Sequence, residues 1–252
     1  MKTNEALFGY ILRLADTNLI LGHRLSEWCG HAPLLEEDIA MANIALDMIG
    51  QANSLLQYAA KAEGKGRTED DLAYLRNERS YFNTLLSEQP NGDFAYTIVR
   101  QFLADAYDLH FFQALKNSKD ETLAALAAKG IKEVSYHLRH TTSWVERLGD
   151  GTDESHERIQ NAINALWCYT EDMFDLNKAD LELVEAGIAV DTRALHAAWL
   201  KTCTDAFSAA GLNIPANVWQ QKGSREGKHT EHLGFLLAEM QHLHRTIPQA
   251  NW

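Results

Sequence analysis

Twenty-two consecutive residues, Ile39 to Ala60, carry a single formal charge, Asp47, in a chain whose charged fraction is 23%. No proline interrupts them, and their apolar residues recur every three or four positions, the spacing that puts side chains on one side of an α-helix. A helix with so few charges is expected to be buried on most sides. Ile39, Ala42, Leu46, Ile49, Asn53 and Leu56 make a heptad-like stripe, with Asn43, Asp47, Gly50 and Ser54 as a narrow polar stripe beside it. Such a helix carries a carboxylate into a core, and other helices must cover it.

The rest of the sequence supplies those helices. Only 4 prolines and 15 glycines occur in 252 residues, 46% of residues are apolar, and Ala and Leu are abundant, which favours long helices over a turn-rich β protein. The periodicity predicts long helices over about 4–28, 36–62, 92–117 and 120–148. Shorter ones follow at about 68–88, 153–176, 178–187, 192–210 and 229–245. Breaks fall at Gly30 to Pro33, at the Gly-Lys-Gly of 64–66 and at the Pro-Asn-Gly-Asp of 90–93. The segment Gln221 to Lys228, rich in Gly, Lys and Ser, is the best candidate for a mobile loop. One domain over residues 1–252 is the expected organisation.

Charge and cysteine usage narrow the function. A formal net charge of -12 and a pI near 5.3 argue against a nucleic-acid surface, which needs clustered Lys and Arg. Cys29, Cys168 and Cys203 lack metal-site spacing and are expected to be buried free thiols in a reducing cytoplasm. No run reaches the ~18 apolar residues of a membrane span. Glu5 and Asp16 around Phe8 to Leu14 make the N-terminus look like a mature helix, not a signal peptide.

The long helices also carry acidic residues at matched depth: Asp16, Asp47, Asp105 or Asp108, and Glu133. Carboxylate-bridged di-metal bundles of the ferritin-like class take a lone Glu from two helices and Glu-x-x-His from two others, because i and i+3 share a helix face. Hard oxygens bridge the two cations, and the imidazoles complete each ion while leaving positions open for oxygen. Asp16 precedes Asp47 by 31 positions and Asp105 precedes Glu133 by 28, so two helical hairpins repeat one plan. The expected fold is therefore all-α, a ferritin-like four-helix bundle core with additional C-terminal helices.

The histidines of the ligand pattern are missing. Three residues after Asp47 stands Gly50, followed by Gln51, and three after Glu133 stands Tyr136. His137 and His140 lie one and two turns along from Glu133, which leaves room for a residual mononuclear site on that helix alone. The ligand count predicts no metal, no cofactor and no catalytic residue in this chain. Buried carboxylates without a metal need other partners; Arg13 and His23 for Asp16, and Lys129, His137 and His140 for Glu133, are the candidates by helix face. The acid-x-x-His triplets Asp153/His156, Glu226/His229 and Glu239/His242 read as a helix cap, a loop and a lone pair on the last helix, all solvated. Signatures of other nucleophile and phosphate-binding enzymes are absent.

Three stretches carry a specific resemblance: LGHRLSEWCGHAPLLEEDIAMANIALDMIGQAN from Leu21, KEVSYHLRHTTSWVERLGDGTDESHERIQ from Lys132 and HTEHLGFLLAEMQHLHRTIPQANW from His229. Together they resemble the family of structural C subunits of bacterial phenylacetyl-CoA epoxidase. The resemblance implies a non-catalytic, ferritin-like subunit in aerobic phenylacetate breakdown, paired with a homologous catalytic subunit that holds the di-iron centre. It also implies a reductase component that delivers electrons from NADPH for epoxidation of the phenylacetyl-CoA ring. The competing expectation is an active di-metal oxygenase or oxidase using Asp47, Glu133 and His137; a binding or storage protein without an enzymatic partner is a third. Leu7, Phe8, Tyr10, Ile11 and Leu14 suggest that the first two helices meet the partner.

Overall fold

Backbone hydrogen bonding in the computed structural model is helical, with no strand among the described residues, which are 2–247. Residues 248–252, the end of the third resembling stretch, lie outside them. In chain order the helices are α1 (Lys2–Ser26), α2 (Leu35–Glu63), α3 (Glu69–Tyr74), α4 (Phe94–Leu115), α5 (Glu121–Gly149), α6 (Asp153–Leu166), α7 (Lys178–Glu185), α8 (His196–Ala209), α9 (Glu231–Met240) and α10 (His242–Thr246). The all-α class expected from the sequence is the class observed, and the helices are consistent with a ferritin-like fold. The four long helices end within 2 residues of their predicted bounds. Asp93 and Asp120 start α4 and α5 by accepting from the backbone N–H of Tyr96 and Leu123 at 2.9 Å, the usual aspartate cap.

The chain divides into two compact units. The first comprises the chain up to His31, Asp38–Pro90 and the chain from Gly223; the second comprises Ala32–Glu37 and Asn91–Lys222. In the first unit α1 lies close against α2 at Gly22, where a Cβ would stand 2.9 Å from Ile49 Cγ1 and 3.3 Å from the Ala45 carbonyl oxygen. Only a residue without a side chain lets the backbones approach that far. Met41, Ile44, Ala45, Met48, Ala52, Leu55 and Leu56 bury the inner side of α2. Ile39 and Leu46 do not join them; they are 54% and 66% exposed. The expectation that α2 is covered on most sides is therefore corrected, because its apolar core face is shifted from the stripe containing Ile39, Leu46 and Asn53. All-round burial belongs to α4, where Thr97 to Tyr107 are buried without interruption, Arg100 and Asp105 included.

The predicted helix over 68–88 is replaced by the six-residue α3, a 3-10 turn at Glu78–Ser80 and an irregular run to Asp93. The cause is local: Arg76 Nε bonds the Leu72 carbonyl, which another turn of helix would engage, and its Nη1 bonds the Ser80 carbonyl at 2.7 Å. The segment Gln221 to Lys228 is also unlike the loop expected. It contains a 3-10 turn, Ser224–Glu226, with Ser224 buried, and Gly227 at φ 67° rests where a Cβ would meet the Arg79 carbonyl oxygen at 2.3 Å. Ile20, Tyr81, Leu233, Leu236 and Leu237 pack α9 against this unit's core.

In the second unit α4 packs on α5, α6 and α8. Trp199 stacks on Trp167 at 5.4 Å and donates its indole N–H to the Leu103 carbonyl at 3.1 Å, fixing α8 to α4. The helix predicted over 153–176 stops at Leu166 and continues as the 3-10 turns Trp167–Tyr169 and Glu171–Phe174, where the Thr170 hydroxyl takes the Trp167 carbonyl at 2.9 Å. The segments predicted over 192–210 and 229–245 likewise divide, into the 3-10 turn Thr192–Leu195 before α8 and into α9 and α10. All three cysteines are free, but only Cys203 is buried; Cys29 is exposed and Cys168 half-buried. Cys29 sits in the turn after α1, outside any apolar helical face.

Candidate functional site

Asp16 of α1 is fully buried in the first unit, and its charge is met by an arginine. Arg76 reaches it from the segment after α3, with Nη1 donating to Oδ2 at 3.0 Å and Nη2 donating to Oδ1, while Phe82 N–H donates to Oδ2 at 2.9 Å. The pair is bidentate, the strongest geometry a carboxylate and a guanidinium can form. Arg76 also lies over the Tyr81 ring, 4.1 Å from its centroid, and Gln241 Nε2 donates to the Tyr81 hydroxyl oxygen at 2.8 Å. The cations expected for Asp16 were Arg13 and His23. Instead Arg13 lies over the Tyr10 ring at 5.2 Å, and His23 is half-buried with burial lowering its pKa. Both stand on the helix of Asp16, whereas Arg76 approaches across the unit, where its fork can meet both oxygens.

Asp47 is half-buried on α2, a flank position and not the core position expected of it. Gly50, its i+3 neighbour, is exposed, and a Cβ there would have nothing within 4 Å. The turn that would hold a histidine therefore faces outward.

A second buried ionic network closes the same unit. Glu88 and His229, both with fully buried side chains, pair through Oε2 and Nδ1 at 2.8 Å, and His229 Nε2 donates to the Tyr81 carbonyl at 2.9 Å. Asn83 Nδ2 and the Thr230 N–H and hydroxyl also donate to Glu88, at 2.9, 2.6 and 2.8 Å. Burial alone would lower the His229 pKa, but the hydrogen bond and charge of Glu88 raise it above the ordinary value. With an acceptor at each ring nitrogen, the imidazolium is the form that satisfies both. The expectation that Glu226/His229 is a solvated pair is thus corrected: Glu226 pairs with Lys228 at the surface and His229 turns inward. His156 is likewise held, its Nδ1 2.7 Å from the Gly149 carbonyl oxygen, and Thr152, not Asp153, caps α6. Glu239 and His242 are exposed.

In the second unit Asp105 is fully buried, accepting from Gln101 Nε2 at 2.7 Å and from the Thr141 hydroxyl at 3.0 Å. Burial drives its pKa well above the carboxylate range, the two hydrogen bonds opposing, and burial lifts Asp108 to about 7. Glu133 is half-buried, with Lys129 Nζ one turn away at 3.7 Å. Tyr136, at i+3 from Glu133, is 43% exposed, and its ring stacks on His140 at 6.3 Å. His137 is fully buried on α5. His140 finds a carboxylate, but it is Glu37, whose Oε2 lies 3.1 Å from His140 Nε2. Burial lowers the His140 pKa against the pull of Glu37. Within either unit, among the described residues, no three His, Cys, Asp or Glu side chains gather as they would around a metal ion.

Arg76, Glu88 and Glu37 are among the buried polar residues that sequence reasoning missed, and the inward turn of His229 was missed with them. Arg76 and Glu88 fall in a segment whose helical pattern was misleading, and nothing in their spacing marks them as partners of Asp16 or His229. Among the described residues no helix is long and apolar enough to cross a membrane.

Comparison with known proteins adds a lineage to this geometry. The family model described as phenylacetic acid catabolic protein matches residues 1–252. The chain is 51% identical over 246 residues to a protein of Escherichia coli (strain K12) named as the C subunit of 1,2-phenylacetyl-CoA epoxidase, covering 98% of this chain and 99% of that one.

Proposed function

The chain belongs to the phenylacetic acid catabolic protein family, and on that premise we propose that it is the structural, non-catalytic subunit of a cytoplasmic phenylacetyl-CoA epoxidase. Its companion is a homologous catalytic subunit that holds the di-iron centre, and a reductase component serves the assembled enzyme. The full-length similarity to a protein named as the C subunit of such an enzyme supports the place in a multisubunit assembly.

The observation that carries the non-catalytic reading is the Asp16–Arg76 pair. A guanidinium does not deprotonate in a protein, so the carboxylate at the depth of a first-helix ligand is permanently neutralised. A metal taking Asp16 would have to displace Arg76 and leave that cation buried, at a cost of about 3–5 kcal/mol. The other positions agree: Gly50 and Tyr136 stand where imidazoles are required and both reach solvent, while His140 is committed to Glu37. The donor set does not fit a two-metal centre.

Co-expression with the companion chain, followed by iron quantification on each separated chain, tests the proposal. Iron should follow the companion, and the two chains should co-elute at a fixed ratio. Near-stoichiometric iron on this chain with an oxygen-dependent absorption band would establish the competing oxygenase reading instead.

A further inference from the structure

The stretch from Ala73 to Glu88 leaves α3 and makes one 3-10 turn before it ends, so its carbonyl groups need partners outside a regular helix. Several of those partners come from one other segment of the same unit. Arg245 donates through Nε to the Tyr74 carbonyl at 3.1 Å and through Nη2 to the Arg76 carbonyl at 2.8 Å, which Gln241 Nε2 also reaches at 3.0 Å. His229 Nε2 holds the Tyr81 carbonyl at 2.9 Å and Arg225 Nη1 the Phe82 carbonyl at 3.3 Å. These donors all lie between Gly223 and Thr246. The apolar hold of that arm is one-sided: Leu233, Leu236 and Leu237 of α9 pack on Ile20 and Tyr81, while Phe235 is 70% exposed. The arm is a strap across the 73–88 segment, fastened in large part by polar contacts.

One fastening is unlike the rest. The Glu88 carboxylate accepts from Asn83 Nδ2 and His229 Nδ1 at Oε2 and from the Thr230 N–H and hydroxyl at Oε1. Four donors fill the four acceptor sites of an ionised carboxylate, and three of them belong to the strap. The His229 ring has an acceptor at each nitrogen, an arrangement that only the imidazolium satisfies. Neutral imidazole keeps one N–H, so either Glu88 or the Tyr81 carbonyl loses its donor and the buried carboxylate loses its cation. The other charges nearby favour the closed, protonated state or stand apart from it. Asp16 on α1 raises the His229 pKa together with Glu88, although Arg76 is spent on Asp16. Arg24, also on α1, donates through Nη2 to the Glu88 carbonyl at 2.9 Å and the His232 carbonyl at 3.3 Å. On the strap itself Glu226 and Lys228 pair with each other at the surface. The arginines and Gln241 keep their state throughout the neutral range, so His229 is the fastening that a change of pH releases.

We propose that residues 223–246 form a strap latched by the His229–Glu88 ion pair, and that loss of the His229 proton lets the strap and the 73–88 segment beneath it open together as one unit, ahead of global unfolding. Arg76 belongs to that segment, with its carbonyl held by the strap and its guanidinium on Asp16, so the latch also governs how firmly the Asp16 pair stays closed. The device is a property of the free chain and does not depend on the subunit reading.

Hydrogen exchange followed by mass spectrometry on the full chain at pH 6 and pH 9, with rates corrected for the intrinsic pH dependence of amide exchange, tests it. In wild type, peptides covering 76–88 and 229–240 should lose protection together by about tenfold at the higher pH, while peptides of α4 and α5 keep theirs. His229→Gln cannot carry the charge, so both segments should exchange fast at either pH and their pH dependence should vanish. Nuclear magnetic resonance titration of the His229 ring in wild type, which requires no variant to fold, should show imidazolium at pH 6 and a midpoint matching the loss of protection. Protection in the two segments that is independent of pH, that changes in one segment without the other, or that falls equally in α4 and α5 overturns the proposal. A His229 ring already neutral at pH 6 overturns it as well.

Discussion

Asp16 and His229 illustrate how buried charge is handled in this molecule, each by a partner distant in sequence. Breaking the first pair should be costly in a specific way. Arg76→Met leaves Asp16 buried without its cation and should lower stability by about 3–5 kcal/mol, while the double variant Asp16→Asn/Arg76→Met should lose much less, as chemical denaturation midpoints would show. His229 gives the chain a pH dependence of definite sign. Its pKa is raised in the folded state, so its contribution is fully present below the unfolded value near 6.5 and is lost as pH rises through the folded value. Melting temperatures from pH 6 to 9 should fall more steeply for wild type than for His229→Gln, which starts less stable and lacks this titration.

Two glycines on adjacent helices make opposite predictions, because one helix position is closed and the other open. Gly22→Ala places a methyl 2.9 Å from Ile49 Cγ1 and 3.3 Å from the Ala45 carbonyl oxygen, so despite alanine's better helix propensity it should destabilise the chain by about 1–3 kcal/mol. Gly50→Ala meets nothing within 4 Å and should stabilise the free chain by about 0.5–1 kcal/mol. Thermal melts of the two variants side by side check both. Of the α1 residues expected to meet a partner, Tyr10 and Ile11 are 1% and 0% exposed, spent on the chain's own core, while Leu7, Phe8 and Leu14 are half-buried.

At the scale of the whole molecule, stability and assembly are linked. If the companion binds only the folded chain, adding it should raise this chain's melting temperature with rising companion concentration. Scanning calorimetry at increasing companion concentration would follow that shift.

The long helices were legible because their signal is local: apolar spacing, the Asp93 and Asp120 caps and the glycine and proline breaks all act within a few residues. The missing imidazoles at Gly50 and Tyr136 were legible for the same reason, since i and i+3 on one helix share a face whatever surrounds it. The partners of the buried charges were not. Asp16 with Arg76, Glu88 with His229 and His140 with Glu37 are joined across 60, 141 and 103 positions, separations that no periodicity encodes. Nor could the sequence say which side of α2 faces inward, because a helix nearly free of charge has several sides that water tolerates poorly. Gly22 approaches α2 at Ala45, Met48 and Ile49, and tertiary packing alone buries Met41, Ile44 and Met48 while leaving Ile39, Leu46 and Gly50 outside.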